Sequence, residues 1–126
     1  MPESKVQRVA LVGCGAMGAE VLRQVPALGG LRVDWVLVGQ PRPEIQTLVD
    51  QYAPGAQLLQ RLPEDAQPDV LVECAGHAAL AAHVLPALQR GIPCLVASVG
   101  ALSQPGLAEQ LAAAATAGGT QVQLLP

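Results

Sequence analysis

VALVGCGAMG, residues 9–18, is an apolar strand that breaks into a glycine loop of the form G-x-G-x-x-G and continues as a helix-like segment. In such a turn Gly13 permits the tight bend, Gly15 lets the backbone approach a bound group, and Gly18 lets the helix pack closely on the strand. The amino terminus of the following helix offers N–H groups and partial positive charge to an anion. The motif favours the pyrophosphate of a dinucleotide, although the glycine spacing alone occurs in many proteins.

The composition fits one aliphatic domain. The 126 residues suffice for a single domain with a buried core, and 51% of them are hydrophobic. The chain has no Phe, one Tyr and one Trp, so its core must consist of Val, Leu and Ala. The net charge of −3, without a basic run, argues against nucleic acid as a partner.

Three further observations predict a cytoplasmic protein. No apolar stretch reaches the about 20 residues that span a bilayer, so no membrane partner is expected. Residues 1–5 lead into a strand without the pattern of a signal peptide. Cys14, Cys74 and Cys94 are an odd number of cysteines without metal-ligand spacing. They predict a reducing compartment, no disulfide framework and no metal site.

Apolar runs alternate with helix-like segments along residues 1–126. The predicted strands are Arg8–Val12, Leu31–Val38, Gln57–Gln60, Asp69–Cys74, Pro93–Ser98 and Gln121–Leu125. The predicted helices are Met17–Leu28, Pro43–Tyr52, His77–Arg90 and Pro105–Ala117. This alternation predicts an α/β fold, a Rossmann-type doubly wound parallel sheet between two helical layers, in one three-layer domain. Pro26 and Pro86 are expected to disturb their helices, Pro63–Gln67 to form a turn, and Ser103 to cap the last helix.

Three glycine-bearing loops follow predicted strands and should meet at the carboxyl edge of the sheet, where such folds bind ligands. Small residues there allow close approach of the backbone to a flat ligand. The residues expected to bind the cofactor are Gly13, Gly15, Ala16, Met17 and Gly18 in the first loop, Cys74, Ala75, Gly76 and His77 in the second, and Ser98, Val99 and Gly100 in the third.

The end of the second strand bears on the choice of cofactor. Enzymes strict for NAD usually place an acid there for the ribose hydroxyls. Here the sequence is VGQPR, residues 38–42, and Asp34 comes too early to serve. Gln40 could bind the ribose hydroxyls, and Arg42 could pair with a 2′-phosphate, stack on adenine or be solvated. The sequence therefore predicts the use of NAD or NADP.

Five other polar side chains have alternative interpretations. Glu73 ends a buried strand, and holding loop N–H groups is a better explanation for it than contact with a ligand. Cys74 is interpreted as a small apolar residue rather than a reactive thiol. His77 is assigned to the edge of the crevice or to a helix cap, and His83 to a structural role. Ser98 could bind the nicotinamide end or cap its own loop.

The three loops also carry a family resemblance. Their sequences GCGAMG, VECAGHAAL and LVASVGALSQPGL resemble the bacterial L-aspartate dehydrogenases, as does HVLPALQRGIPCLV, and the resemblance covers essentially the whole chain. The layout is more distantly similar to homoserine dehydrogenase and to the glucose–fructose oxidoreductase-like enzymes. The latter usually carry Glu-Lys-Pro after the fifth strand, where this chain has Ser98, Val99 and Gly100.

The resemblance implies oxidative deamination of L-aspartate with NAD or NADP, giving iminosuccinate, which hydrolyses to oxaloacetate or enters NAD biosynthesis. It also implies that the catalytic histidine, most of the aspartate contacts and a homodimer interface belong to a second domain absent from this chain. No residue here is therefore assigned a catalytic role. Two other functional hypotheses remain: a stand-alone dinucleotide-binding or redox-sensing module, and the cofactor-binding half of a homoserine dehydrogenase-like enzyme. The glycine spacing and the missing acid disfavour an S-adenosylmethionine-dependent methyltransferase.

Overall fold

A computed structural model describes residues 6–76, 79–97 and 105–124. This part of the chain forms a six-stranded sheet in which all neighbouring strands are parallel. The strands are β1 (Gln7–Val12), β2 (Leu31–Leu37), β3 (Gln57–Leu59), β4 (Val70–Glu73), β5 (Cys94–Val96) and β6 (Val122–Leu124). The helices are α1 (Ala16–Leu28), α2 (Pro43–Tyr52), α3, in which a π-helical segment (Leu80–Val84) continues as an α-helical one (Leu85–Gln89), and α4 (Leu107–Gly118).

The strand order is β3-β2-β1-β4-β5-β6. The chain moves outward from β1 to β3, then returns to the other side of β1 with β4 and moves outward again. The order therefore reverses between β1 and β4, and a crevice opens beyond the carboxyl ends of these two strands. This topology confirms the predicted Rossmann-type, doubly wound sheet.

Two hydrophobic clusters cover the two faces of the sheet. On one face Val9 and Leu11 of β1 pack with side chains of α1 and α2, among them Leu22 and Val49. On the other face alternate residues of β1 pack with α3 and α4, through side chains such as Leu88 and Leu111. Apart from Trp35 the core is mainly aliphatic, as the composition predicts, and its two halves give the three-layer arrangement.

Strand β2 contains an extra residue, Asp34. Val9 pairs with Val33, but Ala10 pairs with Trp35, so the register shifts between these two pairs. Because side chains alternate along a strand, the extra residue reverses which face each later side chain meets. Val33 accordingly packs on the α1–α2 face and Trp35 on the α3–α4 face.

The Asp34 side chain is held by two arginines in the amino-terminal half of the sheet. Its carboxylate accepts hydrogen bonds from Arg8 Nε at 2.6 Å and from Arg32 Nε at 2.7 Å. The Arg8 guanidinium also lies 4.7 Å from the centre of the Trp35 ring. Asp34 is therefore far from the carboxyl edge, as expected from the sequence.

The two helix prolines behave differently. Helix α1 continues through Pro26 to Leu28, so the expected disturbance is confined to its last turn. In α3 the segment before Pro86 is π-helical, and the Leu85 N–H donates to the oxygen of Leu80. Pro86 cannot donate to a carbonyl of the preceding turn, and the wider turn accommodates that loss.

The last helix begins later than predicted. α4 starts at Leu107 rather than Pro105, because Gly106 adopts a left-handed conformation with φ of 82° and sets the boundary. Ser103, the expected cap, lies outside the described residues. The predicted turn at Pro63–Gln67 is present, with the Ala66 N–H donating to Pro63 at 3.0 Å.

Candidate functional site

A cleft of about 800 Å³ lies at the point where the strand order reverses. It is bounded by the loops after β1, β2 and β4 and by the first turns of α3. Its lining residues are Val12, Gly13, Cys14, Gly15, Leu37, Val38, Gly39, Gln40, Arg42, Ile45, Cys74, Ala75, Gly76, Ala79, Ala82 and His83. The structure thus brings together, in one cleft, residues from two of the three loops expected to bind the cofactor.

The glycines of the first loop have different surroundings. Gly13 has φ of +92°, and a Cβ atom there would lie 2.7 Å from the Ala75 Cβ. A Cβ at Gly18 would collide with the carbonyl oxygen of Gly13. A Cβ at Gly15, by contrast, would meet no protein atom within 4 Å. The fold itself requires Gly13 and Gly18, whereas Gly15 leaves open space on the wall of the cleft.

The first turn of α1 stands behind this loop. Gly15 precedes the helix and makes no side-chain cap, so no side chain competes for the N–H groups of the first turn. Ala16 and Met17 are exposed, and 55% of the Met17 surface is accessible. Ala16, Met17 and the buried Gly18 do not line the cleft with their side chains, which fits a role through their backbone N–H groups.

Glu73 fixes the loop after β4. Its side chain is fully buried, and Oε2 accepts hydrogen bonds from the N–H groups of Ala75 at 2.8 Å and Gly76 at 2.7 Å. Charged acceptors make such bonds stronger than neutral ones. Because Ala75 packs against Gly13, the carboxylate also sets the position of the glycine loop. The sequence interpretation of Glu73 as a holder of loop N–H groups agrees with this geometry.

The end of β2 presents Gln40 and Arg42 to the cleft, and both are exposed. Arg42 is the residue before α2 and has an extended backbone. No carboxylate side chain is among the described residues that line this cleft. Neither the end of β2 nor the other described loops that line the cleft therefore place an acidic side chain in its lining.

The cysteines near the cleft are not activated. Burial raises the pKa of Cys74 to about 11, and the neighbouring charge of Glu73 acts in the same direction. Burial also raises the pKa of Cys14, against a smaller lowering effect of Arg23. The pKa of the buried Cys94 is raised to about 12. All three thiols therefore stay protonated near neutral pH and behave as small apolar groups.

His83 lies on the wall of the cleft. The sequence predicts only a structural role for this residue and not its place beside the cleft. Burial lowers its pKa, and the positive charge of Arg61 lowers it further, so the imidazole is neutral near pH 7. The sequence spacing could have indicated this position. Ala82 and His83 follow Ala79 by three and four residues, so all three lie on one side of a helix that starts at the crevice.

Four of the expected site residues, His77, Ser98, Val99 and Gly100, lie outside the described residues. Within the described ranges, no cluster of His, Cys, Asp or Glu could hold a metal ion. The same ranges contain no helix that is both long and apolar enough to cross a membrane.

Known proteins resemble this chain at the level of sequence. It is 52% identical over 119 residues to the L-aspartate dehydrogenase of Polaromonas sp. (strain JS666), a match that covers 94% of this chain and 45% of that protein. It is likewise 52% identical over 118 residues to the L-aspartate dehydrogenase of Cupriavidus necator, covering 93% of this chain and 44% of that protein. The chain thus spans less than half of the length of these relatives, and the expected resemblance is confirmed.

A solved structure with the same fold is the WlbA dehydrogenase of Bordetella pertussis, crystallised with NADH and UDP-GlcNAcA. It superimposes with a TM-score of 0.77 at 16% identity, covering 96% of this chain and 37% of that one. A family model described as "Homoserine dehydrogenase, NAD binding domain" matches residues 13–125. Because this match takes in most of the chain and every lining residue of the cleft except Val12, the protein belongs to the family of homoserine dehydrogenase-type NAD-binding domains.

Proposed function

We propose that the chain is the cofactor-binding part of an L-aspartate dehydrogenase, in which NAD or NADP takes a hydride from the amino-bearing carbon of L-aspartate. The product would be iminosuccinate, which hydrolyses to oxaloacetate. The observation that carries this proposal is the 52% identity to an L-aspartate dehydrogenase across 94% of the chain.

The residues of the cleft fit a dinucleotide. The volume of about 800 Å³ is in the range of cofactor sites, and the open space at Gly15 lets a pyrophosphate approach the backbone. The first turn of α1 offers N–H groups to its negative charge. When bound, the nicotinamide supplies the hydride acceptor. The proposed contacts are Gly13, Gly15, Ala16, Met17, Gly18, Cys74, Ala75 and Gly76, with His77, Ser98, Val99 and Gly100 beyond the described residues.

The chain's own contribution to the reaction is to hold and orient the cofactor. Glu73 fixes the loop after β4 through two backbone N–H groups, so this wall of the cleft is in place before a ligand binds. Such preorganisation reduces the ordering that this loop has to undergo when a cofactor binds. Cys14 and Cys74 remain protonated and offer no competing nucleophile.

The loop after β2 is proposed to accept both cofactors. Gln40 would bind the ribose hydroxyls, and Arg42 would pair with a 2′-phosphate. In support, no described residue that lines the cleft is acidic, so the lining itself would not repel a 2′-phosphate. If the variant Arg42→Ala bound NADP as well as the parent does, the proposed pairing with Arg42 would be wrong.

Contacts to L-aspartate, a catalytic histidine and a homodimer interface are proposed to belong to a second domain. The relatives have room for one, because the match covers only 45% of the first and 44% of the second. A cytoplasmic location is part of the same proposal. Size-exclusion chromatography of the protein that carries this chain tests the dimer, and cell fractionation tests the location.

The proposal is tested in two steps. Calorimetric titration of this chain with NAD, NADP and S-adenosylmethionine should show binding of the dinucleotides alone. The protein that carries the chain should then produce NADH or NADPH when mixed with L-aspartate and the oxidised cofactor. Binding of S-adenosylmethionine alone would overturn the proposal. Cofactor binding without turnover of L-aspartate would instead favour a stand-alone dinucleotide-binding module.

A further inference from the structure

The arginines of the described chain fall into two sets. Arg8 and Arg32 share the carboxylate of Asp34, at 2.6 Å and 2.7 Å. Arg23 pairs with Glu20 on the surface of α1, at 3.3 Å. None of these three arginines lines the cleft, and each has an acidic partner.

The other set is Arg42, Arg61 and Arg90, which form no ion pair within the described part of the chain. All three line one or the other of two adjoining cavities. Arg42 lines the cofactor cleft, and Arg61 and Arg90 line a second cavity of about 520 Å³ beside it. In a chain with a net charge of −3, this gathering of unpaired positive charge is not a general property of the surface.

The second cavity adjoins the cofactor cleft. Leu37, Ala82 and His83 line both spaces, so His83 stands on the wall between them. Apolar side chains make up much of the floor of the cavity, and its polar lining residues are Gln60, Arg61, His83 and Arg90. Among the described residues, no carboxylate lines it. The side chains of Gln60, Arg61 and Arg90 are exposed, so the cavity presents its positive charge to an anion that arrives from solvent.

Hydrogen bonds hold this arrangement in place. Arg90 Nη2 donates to the backbone oxygens of Ala66 at 2.6 Å and Glu64 at 3.1 Å, so its guanidinium is anchored without neutralisation of its charge. Gln60 Nε2 donates to the oxygen of Gly39 at 2.8 Å. This bond ties the end of β3, and with it Arg61, to the loop that carries Gln40 and Arg42.

We propose that Arg61 and Arg90, with His83 at the opening, form an anion site for a phosphate monoester next to the ribose end of the cofactor cleft. Guanidinium groups match the geometry of phosphate oxygens and keep their charge at any physiological pH. The phosphate could be the 2′-phosphate of bound NADP or a free phosphate that binds beside NAD. The first case rests on the proposed cofactor binding; the second requires only the cavity.

The test compares Arg61→Gln with Arg23→Gln, a matched control that removes an arginine from an exposed ion pair outside the cavity. Titration calorimetry measures the Kd of each variant for NAD, NADP and inorganic phosphate, and phosphate is titrated with and without saturating NAD. Loss of one charge-assisted contact should weaken phosphate binding about tenfold in Arg61→Gln and leave NAD binding unchanged. The control should match the parent for all three ligands.

The titrations distinguish the two sources of phosphate. If the 2′-phosphate occupies the site, Arg61→Gln weakens NADP binding, and inorganic phosphate competes with NADP. If a free phosphate occupies it, phosphate binds in the presence of NAD, and NADP affinity does not depend on Arg61. If Arg61→Gln changes neither NADP nor phosphate affinity, the site does not exist. Failure of NAD to bind the parent chain would instead count against the proposed function, and the phosphate titration would still test the cavity.

Discussion

At the scale of single residues, three glycines of one motif have three different surroundings. Gly13 is held against Ala75, Gly18 against the carbonyl of Gly13, and Gly15 against no protein atom within 4 Å. The motif as a sequence pattern treats these positions alike. Their surroundings separate the two glycines that the turn needs from the one that leaves room for a ligand.

Replacing Gly15 by alanine should therefore affect binding but not folding. The new methyl group meets no protein atom within 4 Å, so the expected loss of stability is only that of replacing a glycine N-cap by alanine, about 1 kcal/mol or less. The methyl would occupy space proposed for the pyrophosphate, and calorimetry should show NAD binding weakened about tenfold or more.

The matched control is Gly18→Ala, whose methyl would strike the oxygen of Gly13. Overpacking of this kind should cost about 1–3 kcal/mol in the free energy of unfolding, measured in urea. Unchanged NAD affinity in Gly15→Ala would show that the pyrophosphate does not lie on this loop.

His83 should titrate below its usual pKa of 6.5, since burial and the charge of Arg61 both disfavour the protonated ring. The unfolded chain then takes up this proton first as the pH falls. Above pH 6.5 His83 is uncharged in both states, so it adds no pH dependence to the free energy of unfolding. As the pH falls below 6.5 and through the folded-state pKa, the free energy of unfolding decreases.

NMR titration of the His83 ring measures this pKa directly, and His83→Gln should remove its share of the acid destabilisation. Arg61→Gln should move the pKa of His83 upward. A pKa at or above the usual value in the parent would contradict the position of His83 beside Arg61.

At the scale of elements, the irregular segments of α3 and β2 have different causes, one local and one arising from contact with another strand. The π-helical part of α3 stands immediately before Pro86, which lacks an N–H, and the proline is visible in the sequence. The extra residue in β2 arises from pairing with β1, where Arg8 binds Asp34 and covers Trp35. Each irregularity changes the direction of the side chains around it.

Deletion of Asp34 should be far more damaging than neutralising it. Without the extra residue, Trp35 and the side chains after it would turn toward the opposite faces of the sheet. We expect no cooperative unfolding transition in the deletion variant by circular dichroism. In Asp34→Asn the extra residue remains, and the loss of partly exposed ion pairs should cost only about 1 kcal/mol. A deletion variant as stable as Asp34→Asn would contradict the assigned register.

Most elements could be predicted from the sequence because the local pattern decides them. The apolar run before Gly13 and the break at Gly29 and Gly30 delimit β1 and α1 without knowledge of the rest of the chain. The extra residue in β2 could not be predicted, because the apolar sequence on either side of Asp34 is compatible with an unbroken strand. The late start of α4 depends on the left-handed backbone of Gly106, which the sequence allows but does not require.

At the scale of the whole molecule, the cleft lies where the two halves of the sheet join. The loops after β1, β2 and β4 come from different halves, and each contributes residues to its lining. The sequence could predict these loops because parallel strands bring their carboxyl ends to one edge. It could not predict Arg61 or His83 as part of this region, because their positions depend on how β3 and α3 pack beside the cleft.

Binding of NAD should stabilise the entire domain, because the ligand would touch both halves of the sheet. A ligand that binds only the folded chain adds about 2.7 kcal/mol at a hundred times its Kd. In thermal unfolding experiments with increasing NAD, the melting temperature should rise by the amount that corresponds to this gain in the free energy of unfolding. At the same NAD concentration, Gly15→Ala should show a smaller rise in melting temperature. A parent chain whose melting temperature did not respond to NAD would speak against binding at the cleft.

The Trp35 side chain has a practical consequence for work on this protein. It belongs to the one tryptophan of the chain, and the ring is buried beside the Arg8 guanidinium, two residues before the carboxyl end of β2. A strand advances about 3.3 Å per residue, so the ring stands several ångströms below the strand end that borders the cleft. Its intrinsic emission should therefore serve as an optical reporter of whether β1 and β2 are paired, with little direct perturbation from a ligand at the carboxyl edge.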